Sequence, residues 1–200
     1  MFLTPSSACE PIHVDVIVLG AGPAGCLAST RLTQLGHRVL CVEKLFFPRH
    51  VIGESLLPRC NQLLREAGLL GAVEARGYTR KHGATFVWGD KRERFAFADG
   101  LVDDDPWTYQ VPRDDFDRTL ATEARRQGVD LRFGHAVRAV TLASDHVLVT
   151  VDDLERGQTV EVRARFVLDC SGYGRVLPSL LGLEAPTGLP DRVACFTQVE

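Results

Sequence analysis

The sequence contains no Cys-x-x-Cys pair: its six cysteines stand at 9, 26, 41, 60, 170 and 195, without the spacing of a zinc site or a dithiol. They read as reduced, mostly buried thiols, which points to the cytoplasm. Positive charge is not in surplus either. The 23 Lys plus Arg face 26 Asp plus Glu, a formal net charge of -3, so there is no basic field to grip a phosphate backbone, and nucleic acid is not an expected partner. Long apolar runs are missing as well. The longest, over 14–32, is interrupted by Asp15, Ser29, Arg31 and three glycines, so no membrane span is expected. The first eleven residues lack a basic n-region and an apolar h-region, and the first Lys or Arg is Arg31, so no export signal is expected. What remains is 200 residues, 45% hydrophobic and 24% charged, enough for one domain with a sizeable core.

The strongest local pattern comes first. Residues 14–19 are an apolar, β-branched run of buried-strand length, ended by a glycine turn. Helix formers over 24–35 predict a helix, with Pro23 suited to its first turn and Gly36 as a stop. A second strand over 38–43 completes a β-α-β unit, which implies parallel strands and a right-handed crossover. After a loop over 44–54, Ser55 reads as the cap of a helix with Pro58 in its first turn and Leu63, Leu64 and Ala67 on its apolar side, broken by Gly68 and Gly71. From Tyr78 the period changes to two. His82, Ala84, Phe86 and Trp88 then share one face, and Lys81, Gly83, Thr85 and Val87 the other, with a pairing strand over 94–98.

An acidic loop over 103–106 leads to a strand over 107–111 and a helix over 114–127 with Phe116, Leu120 and Ala124 on its apolar side. Strands over 136–142, 146–151 and 159–163 predict a meander. An apolar strand over 166–169 stops at Cys170-Ser171-Gly172-Tyr173-Gly174, and after a short helix and a Gly/Pro loop residues 192–200 open another strand. The predicted class is α/β: a Rossmann-like module with a parallel sheet, plus a β-meander and the beginning of a further sheet.

Gly20, Gly22 and Gly25 lie between a strand and a helix, and Glu43 ends the next strand roughly 20 residues on, which is the spacing of a dinucleotide fingerprint. Gly20 makes the tight turn, Gly22 lets a pyrophosphate approach the backbone, and Gly25 lets helix pack on strand. The helix N-terminus adds free N–H groups and positive potential. Glu43 would accept from adenosine ribose hydroxyls, and a Glu there argues against a 2′-phosphate, leaving FAD or NAD. The alternative is a Gly-rich turn packed only for structure.

Two further stretches narrow the choice. Phe47-Pro48-Arg49-His50-Val51-Ile52-Gly53-Glu54-Ser55-Leu56 and Lys81-His82-Gly83-Ala84-Thr85-Phe86-Val87-Trp88-Gly89 resemble the flavin-dependent halogenases. The likeness is to their phenol and pyrrole branch, related to the tryptophan halogenases of secondary metabolism, within the larger group of aromatic-hydroxylase-like FAD monooxygenases. It covers nearly the whole chain from Asp15. It implies FAD as cofactor, with Pro23, Ala24, Lys44 and Arg49 joining the fingerprint residues around it and the Gly53-Glu54-Ser55 loop beside the flavin. A Ser-capped helix with Glu54 solvated is the alternative.

Arg113, in the pattern Arg-x-x-Phe-Asp-x-x-Leu that ends at Leu120, resembles a segment whose Arg reaches the FAD, and forked donors suit a phosphate. The alternative is an i,i+4 surface pair with Asp117. Asp169, Ser171 and Gly172 resemble an Asp-x-Ser-Gly segment near the FAD, at the carboxyl end of a parallel strand where ligands bind; a turn that merely ends a strand is the alternative.

The resemblance gives Lys81 the catalytic role. It would meet hypohalous acid, generated at a flavin hydroperoxide from chloride or bromide, and present the halogen to an electron-rich aromatic or heteroaromatic ring. Its strand face lies opposite the apolar one, so it could enter a cavity while the strand packs behind; a solvated lysine among Arg80, Lys91 and Arg92 is the bland reading. The implied partners are a flavin reductase and a small aromatic substrate, free or bound to a carrier protein. No metal is expected, because His50 and His82 lack a second ligand at metal spacing.

Two features of the family are absent: the Gly-Asp motif of a later strand that closes around the ribityl and pyrophosphate, and a Trp-x-Trp-x-Ile-Pro segment, which Trp88 and Trp107 do not form. The chain is therefore expected to be the N-terminal part of a two-domain flavoenzyme. Its FAD-binding segments would be 12–77, 106–134 and 159–185, and its substrate-domain strands 80–100 and 190–200. The alternatives are an FAD aromatic hydroxylase taking hydride from a nicotinamide, a geranylgeranyl-reductase-like enzyme, and a truncated product with no turnover.

Overall fold

A short strand, β1 (Ile12–His13), precedes β2 (Val16–Leu19), and the glycine turn then feeds α1 (Pro23–Gln34) and β3 (Val39–Glu43). Every residue of β2 and β3 is buried, which is why both read as continuous apolar runs and not as alternating ones. The computed structural model describes residues 10–100, 105–186, 188, 190 and 193. Beyond β3 the chain forms α2 (Pro58–Glu66), α3 (Leu70–Glu74), β4 (Thr79–Lys81), β5 (Gly83–Trp88) and β6 (Lys91–Ala96). Then come β7 (Thr108–Gln110) and α4 (Arg113–Arg126). Five strands follow: β8 (Asp130–Phe133), β9 (His135–Leu142), β10 (Val147–Asp153), β11 (Gln158–Ala164) and β12 (Phe166–Asp169), with α5 (Val176–Leu180) after them.

The parallel sheet has the order β12-β2-β3-β8, and the meander forms a second sheet, β1-β11-β10-β9, in which only the β1–β11 pair is parallel. Alternation along β2 and β3 sorts the core into two halves. Val16, Val18, Val39 and Cys41 face the helical layer with Phe116, Leu120 and Ala124 of α4. Ile17, Leu19, Leu40 and Val42 face the meander with Val149, Val151 and Val162. The result is three layers, helices on one face of the parallel sheet and the mostly antiparallel meander sheet on the other. Each fully buried aliphatic or aromatic side chain in them stabilises by roughly 1.5–3 kcal/mol. Among the described residues no helix is long and apolar enough to cross a membrane.

Several local expectations are corrected. Ser55 does not cap α2: Leu57 is the N-cap residue, and Ser55 lies in an isolated bridge to Gln110. Gly71 sits inside α3, so of the two glycines only Gly68 lies in the three-residue link, 67–69, between the helices. The period-two stretch is two strands in two ribbons, since β4 pairs with β7 and β5 with β6. Among the described residues no core packs behind β5; Phe86 is 64% and Trp88 86% exposed. The strand expected over 94–98 spans Lys91–Ala96. Strand β8 was not expected, because its four residues carry only Leu131 and Phe133 as an apolar signal. The acidic residues 103 and 104 and nearly all of 190–200 lie outside the described residues.

Candidate functional site

The turn after β2 is built from its glycines. Gly20 has φ +100°, and a Cβ on it would lie 2.7 Å from the Cys170 carbonyl oxygen; a Cβ on Gly25 would lie 1.8 Å from the carbonyl oxygen of Gly20. Both glycines therefore serve the packing of α1 and the 170–172 turn against β2. Gly22 differs, because a Cβ there would meet only the end of the Arg49 side chain, at 3.2 Å. Gly22 is also the N-cap of α1, with no side-chain cap. Pro23 has no N–H to offer, and the first-turn N–H groups of Ala24 and Gly25 have no intrahelical acceptor. The thiols of Cys26 and Cys41 donate to the carbonyls of Ala21 (3.2 Å) and Gly20 (3.7 Å) from behind the turn. Burial pushes the Cys41 thiol up to about 12, so both act as protonated structural donors. Cys60 and Cys170 are half-buried and free; Cys9 and Cys195 lie outside the described residues.

Glu43 ends β3 as a buried carboxylate turned onto the glycine turn. Its Oε2 accepts from the Ala21 N–H and its Oε1 from the Leu45 N–H, both at 2.9 Å. Lys44 beside it is exposed. Arg49 approaches from the loop, 3.5 Å from Glu43 and 3.4 Å from Asp117, and its Nε is buried without a partner. Arg113 is committed elsewhere. Its Nε and one terminal nitrogen donate to the two oxygens of Asp117 at 2.8 and 3.0 Å, and the other reaches the carbonyls of Ile52 and Gly53 at 3.2 and 3.3 Å. The i,i+4 pair considered from the sequence thus exists, but inside the protein and not on its surface.

Asp117, read from the sequence only as a surface partner of Arg113, is the buried centre of this network. It is fully buried between two guanidiniums. The signal was its place beside Phe116 on the apolar face of α4, where a carboxylate needs buried partners. Asp117→Ala should cost about 3–5 kcal/mol, because it strands two partly buried guanidiniums. Chemical denaturation of the purified chain measures it, and Asp117→Asn should cost less.

The Gly53-Glu54-Ser55 loop hangs from this network through the Gly53 carbonyl and from β7 through a Glu54 carbonyl that accepts from the Val111 N–H at 2.9 Å. Ser55 Oγ accepts from the Nζ of Lys81. Burial lowers the Lys81 amine below the ordinary lysine value, and its electrostatic interaction with nearby Cys60 partly offsets this. The carboxyl of Asp169 accepts from the Ser171 N–H and hydroxyl and from the Leu177 N–H, so Asp169 and Ser171 brace the start of α5 while Cys170 and Ser171 pack on Gly20. Gly172 follows in the same turn.

The structure therefore joins Gly20, Gly22, Pro23, Ala24, Gly25, Glu43, Arg49, Arg113 and the 169–172 turn around the carboxyl ends of β2 and β3. Through Gly53 and Ser55 it extends that group to Lys81. The guanidinium of Arg49, a helix start with free N–H groups and an open glycine face between them are the donor set that a diphosphate could use.

A family model described as an FAD binding domain matches residues 13–191. Tryptophan 2-halogenase of Chondromyces crocatus is 34% identical over 163 residues, 81% of this chain and 31% of that one. A 1H-pyrrole-2-carbonyl-[peptidyl-carrier protein] brominase of Pseudoalteromonas luteoviolacea (strain 2ta16) is 34% identical over 166 residues, 82% of this chain and 38% of that one. A solved flavoprotein/dehydrogenase from Cytophaga hutchinsonii is 48% identical with a TM-score of 0.84, covering 89% of this chain and 44% of that one. The chain thus spans less than half the length of each of these relatives.

Proposed function

Because the chain belongs to the FAD binding domain family, we propose that it is the cofactor-holding part of a flavin-dependent halogenase that chlorinates or brominates an electron-rich aromatic or heteroaromatic ring. The observation that carries this reading is the run of contacts from Glu43 through Arg49, Asp117, Arg113 and the Gly53–Ser55 loop to Lys81, which ties an amine to the cofactor cradle. The residues fit FAD. Glu43 would accept from the adenosine ribose. The pyrrolidine-led start of α1, the open face of Gly22 and the terminal guanidinium nitrogen of Arg49 that borders it would meet the pyrophosphate.

Bound and reduced, FAD supplies the oxygen chemistry that turns halide into hypohalous acid. Lys81 then receives the halogen. Its neutral amine attacks the halogen of the hypohalous acid, an N–halogen bond forms as the halogen–oxygen bond breaks, and the oxygen leaves as water with the amine's proton. The ring takes the halogen from nitrogen and returns its own proton, restoring the amine. Partial burial of Lys81 favours the neutral form that this requires.

On this reading the FAD-binding segments are 12–77, 106–134 and 159–185, and the strands within 80–100 belong to the substrate side. The carrier-bound pyrrole named for one relative supports a carrier-bound substrate, and a flavin reductase and a cytoplasmic setting complete the proposal. The likeness to a flavoprotein/dehydrogenase favours a second reading, a hydroxylase or reductase on the same cradle.

The test is turnover by the whole protein with reduced FAD, halide and phenol or pyrrole substrates, free and carrier-bound, read by the halogen isotope pattern of the product. A hydroxylated or reduced product would select the second reading. Cofactor placement is tested separately: Glu43→Gln should weaken flavin binding about tenfold by losing a charged acceptor. Flavin fluorescence titration measures this, and unchanged affinity would move the ribose elsewhere.

A further inference from the structure

Ser55 and Lys81 are 26 residues apart and meet because one short strand serves both. On one edge β7 pairs with β4, Lys81 opposite Thr108 and Thr79 opposite Gln110. On the other, Gln110 bridges Ser55, and the Leu56 N–H donates to the Tyr109 carbonyl at 3.1 Å. Residues opposite one another across strands, and residues two apart along a strand, share a face. Ser55, Gln110, Thr79 and Lys81 therefore emerge on one side. The Lys81 side chain crosses that face to donate to Ser55 Oγ, with its Nζ 5.4 Å from the centre of the Phe97 ring. Arg113 steadies the neighbouring backbone by its bonds to Ile52 and Gly53.

Resting on the reading of Lys81 as the halogen-transfer group, we propose that Ser55 is a positioning residue whose hydroxyl oxygen holds the Lys81 amine in place over the loop beside the cofactor cradle. The contact acts on two quantities at once. An oxygen that accepts from an ammonium favours the charged amine, whereas burial disfavours it and the electrostatic interaction with Cys60 on α2 partly offsets burial. Removing the oxygen leaves Lys81 easier to deprotonate, and so more reactive toward a small acylating reagent, while its direction is lost. A merely structural role would not raise the reactivity of the amine and lower its use in transfer together.

Competitive acetylation with acetic anhydride from neutral to alkaline pH, read by mass spectrometry at Lys81, follows the amine without reference to any product. In Ser55→Ala the Lys81 titration should move down by about half a unit to one unit. Halogen transfer should fall in kcat by about tenfold or more with KM unchanged, the cost of a lost orientation. Ser55→Thr, which keeps the hydroxyl, should restore both. An unmoved titration in Ser55→Ala overturns the proposal whatever the enzyme makes. A shifted titration with transfer at the native rate overturns it too, because the contact then positions nothing. A wild-type enzyme that halogenates no substrate removes the reading of Lys81 and the positioning role with it, and the titration still reports whether the contact forms.

Discussion

Lys81→Ala is expected to lower halogen transfer by more than about a thousandfold, the scale seen when a covalent nucleophile is removed. The same variant should keep its flavin and still consume oxygen when reduced FAD is supplied. The two steps separate because oxygen chemistry belongs to the cofactor, for which Glu43, Arg49 and the glycine turn are the proposed cradle, and the Lys81 contact lies on Ser55. Lys81→Arg should fail as well, since a guanidinium stays protonated and cannot take the halogen as a neutral amine does. Oxygen uptake and product mass spectrometry on the whole enzyme give both readouts. Halogenation at the native rate by Lys81→Ala would leave the hydroxylase or reductase reading as the better one.

Substitutions at the glycine turn should part folding from binding. Gly25→Ala is expected not to fold, or to lose more than about 4 kcal/mol, because its Cβ would lie 1.8 Å from the Gly20 carbonyl oxygen, backbone that can yield only by moving α1 off β2. Gly22→Val should fold with a nearly native melt, since a Cβ there meets only the mobile end of Arg49. It should nevertheless lose flavin affinity by about tenfold or more, because the side chain fills the face toward which the α1 N-terminus points. Thermal melts by circular dichroism and flavin titration on both variants decide it. A Gly22→Val chain with full flavin occupancy would show the cradle to be in the wrong place.

Much of this protein was legible one element at a time. The β-α-β unit, its glycine turn and Glu43 follow from patterns within some thirty residues, and so do the apolar face of α4 and the meander. Period two was also legible from Tyr78 onward, but not what the alternating residues would face: β4 and β5 part into different ribbons, and Phe86 and Trp88 stay exposed. Ser55 looked like a helix cap because serine caps well and Pro58 suits a first helical turn; Gln110, 55 residues away, took it instead.

The division follows from the range of the forces involved. Backbone sterics, hydrogen-bond period and the alternation of apolar side chains act between chain neighbours, so the sequence alone determined the class of fold, the turn that suits a dinucleotide and the lysine worth testing. Which arginine has donors to spare is decided across the fold. Arg113 is used up by Asp117 and by carbonyls 60 and 61 residues away, and Arg49 meets Asp117, 68 residues on, with one nitrogen while its buried Nε has no partner. Burial does this work: once packing of α4 against the parallel sheet removed water from Asp117, its charge had to be met from distant segments, and only the tertiary structure could bring them there.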